Sequence, residues 1–178
     1  MLGAMSFFLD AADRFTALVT ATTDWSAPSP CEGWSAADVV DHVVDTQRDY
    51  LTRMDVPVGD RPGGSPEEVW TAHLAGVRPL VTDELRAREY DGFFGRTTMG
   101  ATLDDFYGFD LVVHGWDLGS SQGRPTTFTD ADMAAMEAAF EGFGEHAYDD
   151  GVFKRPVEVP TDASRQAKLL ARMGRRAA

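Results

Sequence analysis

Asp110 and His114 stand four residues apart in Asp110-Leu-Val-Val-His114-Gly-Trp-Asp-Leu118, a stretch otherwise dominated by apolar residues. On a helix advancing about 100° per residue, Leu103, Asp110 and His114 fall within about 40° of one another. Phe106, Tyr107 and Leu118 flank them, while Asp104, Gly108, Gly115 and Gly119 occupy the opposite, polar or small side. A carboxylate or imidazolium buried alone costs several kcal/mol, so the two groups need a common partner or each other. The i, i+4 spacing brings both ligand atoms to one point beside the helix, an arrangement suited to a divalent metal ion. A simple core pair is the other reading. His42 weighs on the choice: it lies at the margin of the apolar stripe of an earlier helix, beside Val39 and Thr46, where it can reach into a seam between helices. His42, Asp110 and His114 make a three-ligand set that leaves a coordination position open, as catalytic zinc sites do. Nickel and iron suit the same donors.

The remaining candidates rank lower. His73 lacks a histidine or carboxylate partner on a clearly buried face, and His146 with Asp150 reads as a fraying helix end. Asp117 projects near Asp110 and Phe106, close enough to hydrogen-bond a metal ligand. Cys31, the single cysteine, reads as a half-buried structural thiol placed before the second helix rather than beside Asp110 and His114. Trp34, Trp70 and Trp116 read as core or seam residues. Asp38, Asp41, Asp45 and Asp49 read as a solvated helix face.

The elements that must carry these residues are helices. Phe8, Leu9, Ala12, Phe15, Leu18 and Val19 recur at helical spacing and predict a helix from about Ser6 to Thr22. Ser35, with Asp38 three residues on, caps a second helix to about Met54 that buries Ala36, Val40, Val43, Gln47 and Leu51. Pro57, Gly59 and Pro62 mark a loop over 55–64, and Ser65-Pro66-Glu67-Glu68 starts a third helix. Pro79 should kink or break that helix, because residue 79 cannot donate to the Ala75 carbonyl. The glycines and Phe93-Phe94 between Tyr90 and Gly100 predict an extended or hairpin-like connector. A fourth helix is expected from about Thr102 to Ser121, a fifth from Asp130 to Phe143 capped by Thr129, an extended run at 156–160, and a short last helix from about Ala163 to Met173 closed by Gly174. Five helices with little strand signal give an all-α bundle, read as one domain over 1–178 with a core of about 5–147 and a C-terminal extension of about 150–178.

Composition narrows the partners. A net charge of −13, from 16 Lys and Arg against 29 Asp and Glu, disfavours nucleic acid and anionic membrane surfaces. One cysteine excludes an internal disulfide and a thiolate-rich zinc knuckle. Residues 1–10 lack the basic start and apolar run of a secretion signal, and no stretch approaches a membrane span, so the chain reads as cytoplasmic. A monomer or a homodimer is expected.

Pro30-Cys31-Glu32-Gly33-Trp34, followed by Val39-Val40-Asp41-His42, resembles the N-terminal signature of the mycothiol-dependent maleylpyruvate isomerase family. Asp110-Leu-Val-Val-His114-Gly-Trp-Asp-Leu118 resembles its second signature, and the tail from Phe153 to Pro160, with Leu169 to Arg175, is similar to the ending of short actinobacterial members. Arg supplies 14 of the 16 basic residues, which agrees with a high-GC source. The resemblance implies a DinB-like four-helix bundle with an additional helix and a short C-terminal extension. It also implies a metal held by His42, Asp110 and His114, with Asp110 standing where some relatives have Glu or His. The full isomerase has a further C-terminal domain that 178 residues do not accommodate. The implied activity is therefore that of a metal-dependent thiol transferase or isomerase with mycothiol as co-substrate and a small electrophile as its partner. A non-catalytic metal-binding or stress-response protein is the alternative.

Overall fold

Ser6 opens the first helix, its hydroxyl accepting the Leu9 amide, and α1 runs over Phe7–Ala21. The computed structural model describes residues 6–93, 95–149 and 153–176. Reciprocal capping boxes start the next two helices: Ser35 with Asp38 for α2 (Ala36–Arg53), and Ser65 with Glu68 for α3 (Pro66–Val77). The expected break at Pro79 is present, since α3 gives way to a 3₁₀ turn over Arg78–Leu80. A short helix α4 (Asp83–Ala87), which the sequence pattern does not announce, follows on the Thr82 cap. The connector is a two-stranded antiparallel hairpin, β1 (Glu89–Gly92) with β2 (Gly95–Thr98), pairing Glu89 with Thr98 and Gly92 with Gly95.

The fourth long helix departs from expectation. It is a composite: α5 (Met99–Thr102), a π-helical stretch over Leu103–Gly108, and α6 (Phe109–Ser121). A π segment bonds i to i+5 and widens the turn, so the phase of Leu103 relative to Asp110 differs from that of one continuous α-helix. Asp110 and His114 both lie within α6 and keep their mutual register.

The chain divides into two compact units, Met1–Thr126 and Thr127–Ala178. In the first, α1 packs on α6 and α3, and α2 packs on α6 and α3, closing a four-helix ring in which α1 and α2 lie across the diagonal. Phe8, Phe15, Val43, Leu51, Trp70, Leu103 and Leu111 fill its interior. The Trp70 indole donates to Thr16 Oγ1 at 2.8 Å and meets the Phe15 ring edge-on at 4.8 Å.

In the second unit, α7 (Asp130–Phe143), capped by Thr129, packs on α8 (Arg165–Arg172). Arg165 forks onto Glu137 at 2.9 and 2.7 Å, and the Arg172 guanidinium lies 4.4 Å above the Phe140 ring. The run expected to be extended at 156–160 forms no ladder, although the Val157 amide donates to the Ala171 carbonyl. Among the described residues no helix is long and apolar enough to cross a membrane.

Candidate metal centre

The seam between α2 and α6 brings the three sequence-selected residues together. His114 Nε2 lies 3.3 Å from Asp110 Oδ1, and His42 Nε2 lies 4.0 Å from Asp110 Oδ2. The two imidazole rings meet edge to face at 4.8 Å. His114 is buried, whereas His42 and Asp110 are half-buried and form the rim. The reason lies in the helical register. His42 shares α2 with the buried Val39 and Val43, while Asp110 and His114 share α6 with the buried Leu111 and Val113, so the seam has a polar opening in an apolar wall.

Asp117 orients the site from behind. Its carboxylate has no exposed surface, and its Oδ2 accepts the His114 Nδ1–H at 2.9 Å. This fixes the tautomer: with Nδ1 carrying its proton, a neutral His114 turns the Nε2 lone pair toward Asp110 and His42. Burial acts to lower the His114 pKa. The Asp110 charge and hydrogen bonds to Asp110, Asp117 and Cys31 outweigh it and hold the imidazole well above its ordinary value.

Cys31 corrects the sequence reading. It precedes α2 in the chain, as expected, yet its thiol donates to the same Asp117 Oδ2 at 3.3 Å, which puts it beside His114. The chain gets there by a turn in which the Trp34 amide donates to the Cys31 carbonyl at 3.0 Å and Gly33 adopts φ +80. A positive φ at the third residue of a turn is a glycine conformation, which is why Cys-Glu-Gly-Trp turns here. The same turn lays the half-buried Trp34 over the site, 4.8 Å from the His42 ring and stacked 5.9 Å from His114. Periodicity carries no information on this turn, because a loop's end point is set by tertiary packing.

One turn before Asp110, Tyr107 is buried and stacks on Tyr50 at 5.0 Å. The Tyr50 hydroxyl reaches Tyr90 at 3.3 Å, and Tyr90 shares a 2.6 Å bond with Thr102. Burial first, then the Asp110 charge among nearby groups, pushes the Tyr107 phenol up, so it stays a neutral donor. On the far side of the composite helix, Asp104 accepts from Ser6 Oγ (2.9 Å), the Phe8 amide (3.0 Å) and Arg86 (2.7 Å). Burial opposes ionisation of Asp104, but these donors prevail and hold its carboxyl below the usual range. That anchor ties the π stretch to the start of α1 and to α4.

The donor set fits a small divalent cation. Ligand atoms around a tetrahedral zinc with bonds of roughly 2.0–2.2 Å lie about 3.3–3.6 Å apart. His114 Nε2 to Asp110 Oδ1, at 3.3 Å, meets that range and His42 Nε2 to Asp110 Oδ2, at 4.0 Å, lies just above it, with one ligand atom of each residue within 4.8 Å of the others. Cys31, His114 and Asp117 form a second group meeting the same limit. The other histidines do not join. His73 is buried, and its Nε2 pairs with Gln47 Oε1 at 2.9 Å rather than with a carboxylate or histidine. His146 is exposed and bonds Asp149; Asp150 lies outside the described residues.

A closed ring of four helices with two histidines and a carboxylate meeting on one seam defines a class, the DinB-like helical bundles. Within it, the chain belongs to the mycothiol maleylpyruvate isomerase N-terminal domain family, whose model matches residues 8–119. That span covers more than half of the 178 residues and includes His42, Asp110, His114, Cys31 and Asp117; α7 and α8 lie outside it. The resemblance drawn from the two signatures and the all-α fold expectation are both borne out. No curated protein and no solved structure matched the chain.

Proposed function

We propose that the chain is a metal-dependent thiol transferase or isomerase. In this reading His42, Asp110 and His114 hold one divalent ion, zinc ahead of nickel or iron, and mycothiol is the co-substrate that meets a small electrophile. The observation that carries it is that His42, Asp110 and His114 each bring one ligand atom within 4.8 Å of the others on the α2–α6 seam, backed by the Asp117–His114 bond. The family's own description, which names mycothiol, supports the choice of thiol.

A bound ion supplies Lewis acidity, which favours the thiolate of a thiol whose free pKa is about 8.5. The protein's groups do the rest. Asp117 keeps the Nδ1 proton of His114 in place and so presents Nε2 inward. Asp110 offsets one positive charge. Trp34 covers both imidazoles and limits water at the site, while the neutral Tyr107 phenol stands one turn away from Asp110 as a hydrogen-bond donor.

The test compares tag-free wild type with His42→Ala and His114→Ala for metal content, helix content by circular dichroism, and mycothiol consumption with an electrophile such as a haloarene. One equivalent of metal in wild type and none in folded His114→Ala is expected, with thiol consumption lost on chelation. Unchanged metal content in either variant would remove that residue from the site. Metal binding without turnover of any thiol would leave a non-catalytic metal-binding protein.

A further inference from the structure

His114 has a second face. Its Nδ1 and the thiol of Cys31 both point at Asp117 Oδ2, at 2.9 and 3.3 Å, and one ligand atom from each of the three residues falls within a common 4.8 Å limit. This group lies across the imidazole ring from His42 and Asp110. It contains the chain's one thiol, and Cys31 is half-buried while His114 and Asp117 are buried. Thiolate sulfur selects soft cations, whereas the nitrogen and oxygen donors of the His42 side suit borderline ones.

We infer that Cys31, His114 Nδ1 and Asp117 form a second, soft-metal site that takes a cation of the cadmium or cuprous kind, and that it competes with the His42 side for the same imidazole. The chemistry balances without an oxidant or reductant. The Cys31 thiol proton leaves to solvent as the sulfur–metal bond forms. The Nδ1 proton of His114 leaves as well when the nitrogen–metal bond forms, and Nε2 keeps the proton that it shares with Asp110 Oδ1 at 3.3 Å. An Nε2 that carries a proton cannot ligate, so the two modes exclude one another while His114 remains a neutral imidazole. Asp117 changes from hydrogen-bond acceptor to ligand without leaving its buried position. The second site stands on its own geometry and does not depend on the thiol chemistry proposed above.

The probe is cadmium ion alone, titrated without oxygen into the metal-free full chain. Binding is followed by the ultraviolet thiolate-to-metal charge-transfer band, and His114 by nitrogen NMR of histidine-labelled protein. Wild type should develop the band to one equivalent, with His114 ligating through Nδ1 and protonated at Nε2. His42→Ala should keep the band, whereas folded Asp117→Asn should need at least tenfold more cadmium. Cadmium bound without the band, or a band with the His114 Nδ1 still protonated, would overturn the second site. An unshifted midpoint in Asp117→Asn would reduce it to a lone thiol and overturn it equally. If that variant does not fold, the wild-type NMR result decides. Loss of zinc binding in His42→Ala reads the first site separately, so either site can fail without the other.

Discussion

His114 uses both ring nitrogens, and Asp117 decides which one is available to the rim. Asp117→Asn keeps the shape of the side chain but removes the charge that orients and enriches the imidazole. Zinc affinity is therefore expected to fall about 10–100-fold with helix content unchanged, measured by competition with a chromophoric chelator. An unchanged affinity would show that Asp117 does not act on the site. A different histidine makes stability acid-sensitive. His73 is buried with Gln47, and burial, followed by the nearby Arg48 charge, pushes its pKa down to about 4 from an ordinary 6.5. The unfolded chain thus binds a proton more readily than the folded one between these values. Stability from the neutral His73 is complete above pH 6.5 and is lost as pH falls toward 4, a loss of roughly 3 kcal/mol. The double variant Gln47→Leu/His73→Leu should lose correspondingly less stability between pH 7 and pH 4.5 in urea unfolding. Equal losses in parent and variant would exclude His73 as the cause. At this scale His42, Asp110 and His114 were legible because each lies on a helix whose apolar stripe fixes its direction. The burial of Gln47 was legible for the same reason, but its partner was not, since a stripe does not say which helix faces it.

The site helix is held from its far side. Gly108 closes the π stretch, and a Cβ there would lie 2.7 Å from the Phe7 ring and 3.2 Å from the Phe8 Cα. A ring can turn aside, but the α1 backbone has to move. Gly108→Ala should therefore destabilise the bundle by about 1–3 kcal/mol. Thermal unfolding should show this as a Tm lowered by several degrees. An unaltered Tm would mean that α1 and the π stretch separate at no cost. The π stretch itself was not legible. The apolar pattern over 102–121 fits one α-helix, and the change to i→i+5 bonding goes with contacts made 96 to 98 residues away, where Asp104 meets Phe8 and Ser6. Local signals fared better where the chemistry is local: the caps at Ser35, Ser65 and Thr129, and the break at Pro79, all sit where the residues place them.

Across the molecule, the ring of helices is closed by pairs distant in sequence, α1 with α6 and α2 with α6. Helix content and fold class were open to reading because they follow from periodicity and capping. The order of helices around the ring was not, because periodicity does not say which helix faces which. The wide separation of the seam also has a consequence for the sequence of folding events. His42 and the Asp110–His114 pair are joined by more than sixty residues of chain, including α3, α4 and the hairpin, so closing this seam carries a long-loop entropy cost. If the seam closes after the main barrier, the ion finds no assembled ligands in the transition state and cannot hasten the climb. Saturating zinc is then expected to leave the refolding rate unchanged and to slow unfolding, with the whole gain in stability appearing in the unfolding limb of a stopped-flow chevron. A refolding rate that rises with zinc would place seam closure before the barrier. In this ordering the cation acts as a latch on a finished structure, and metal-loaded chains outlast metal-free ones by resisting escape from the native state.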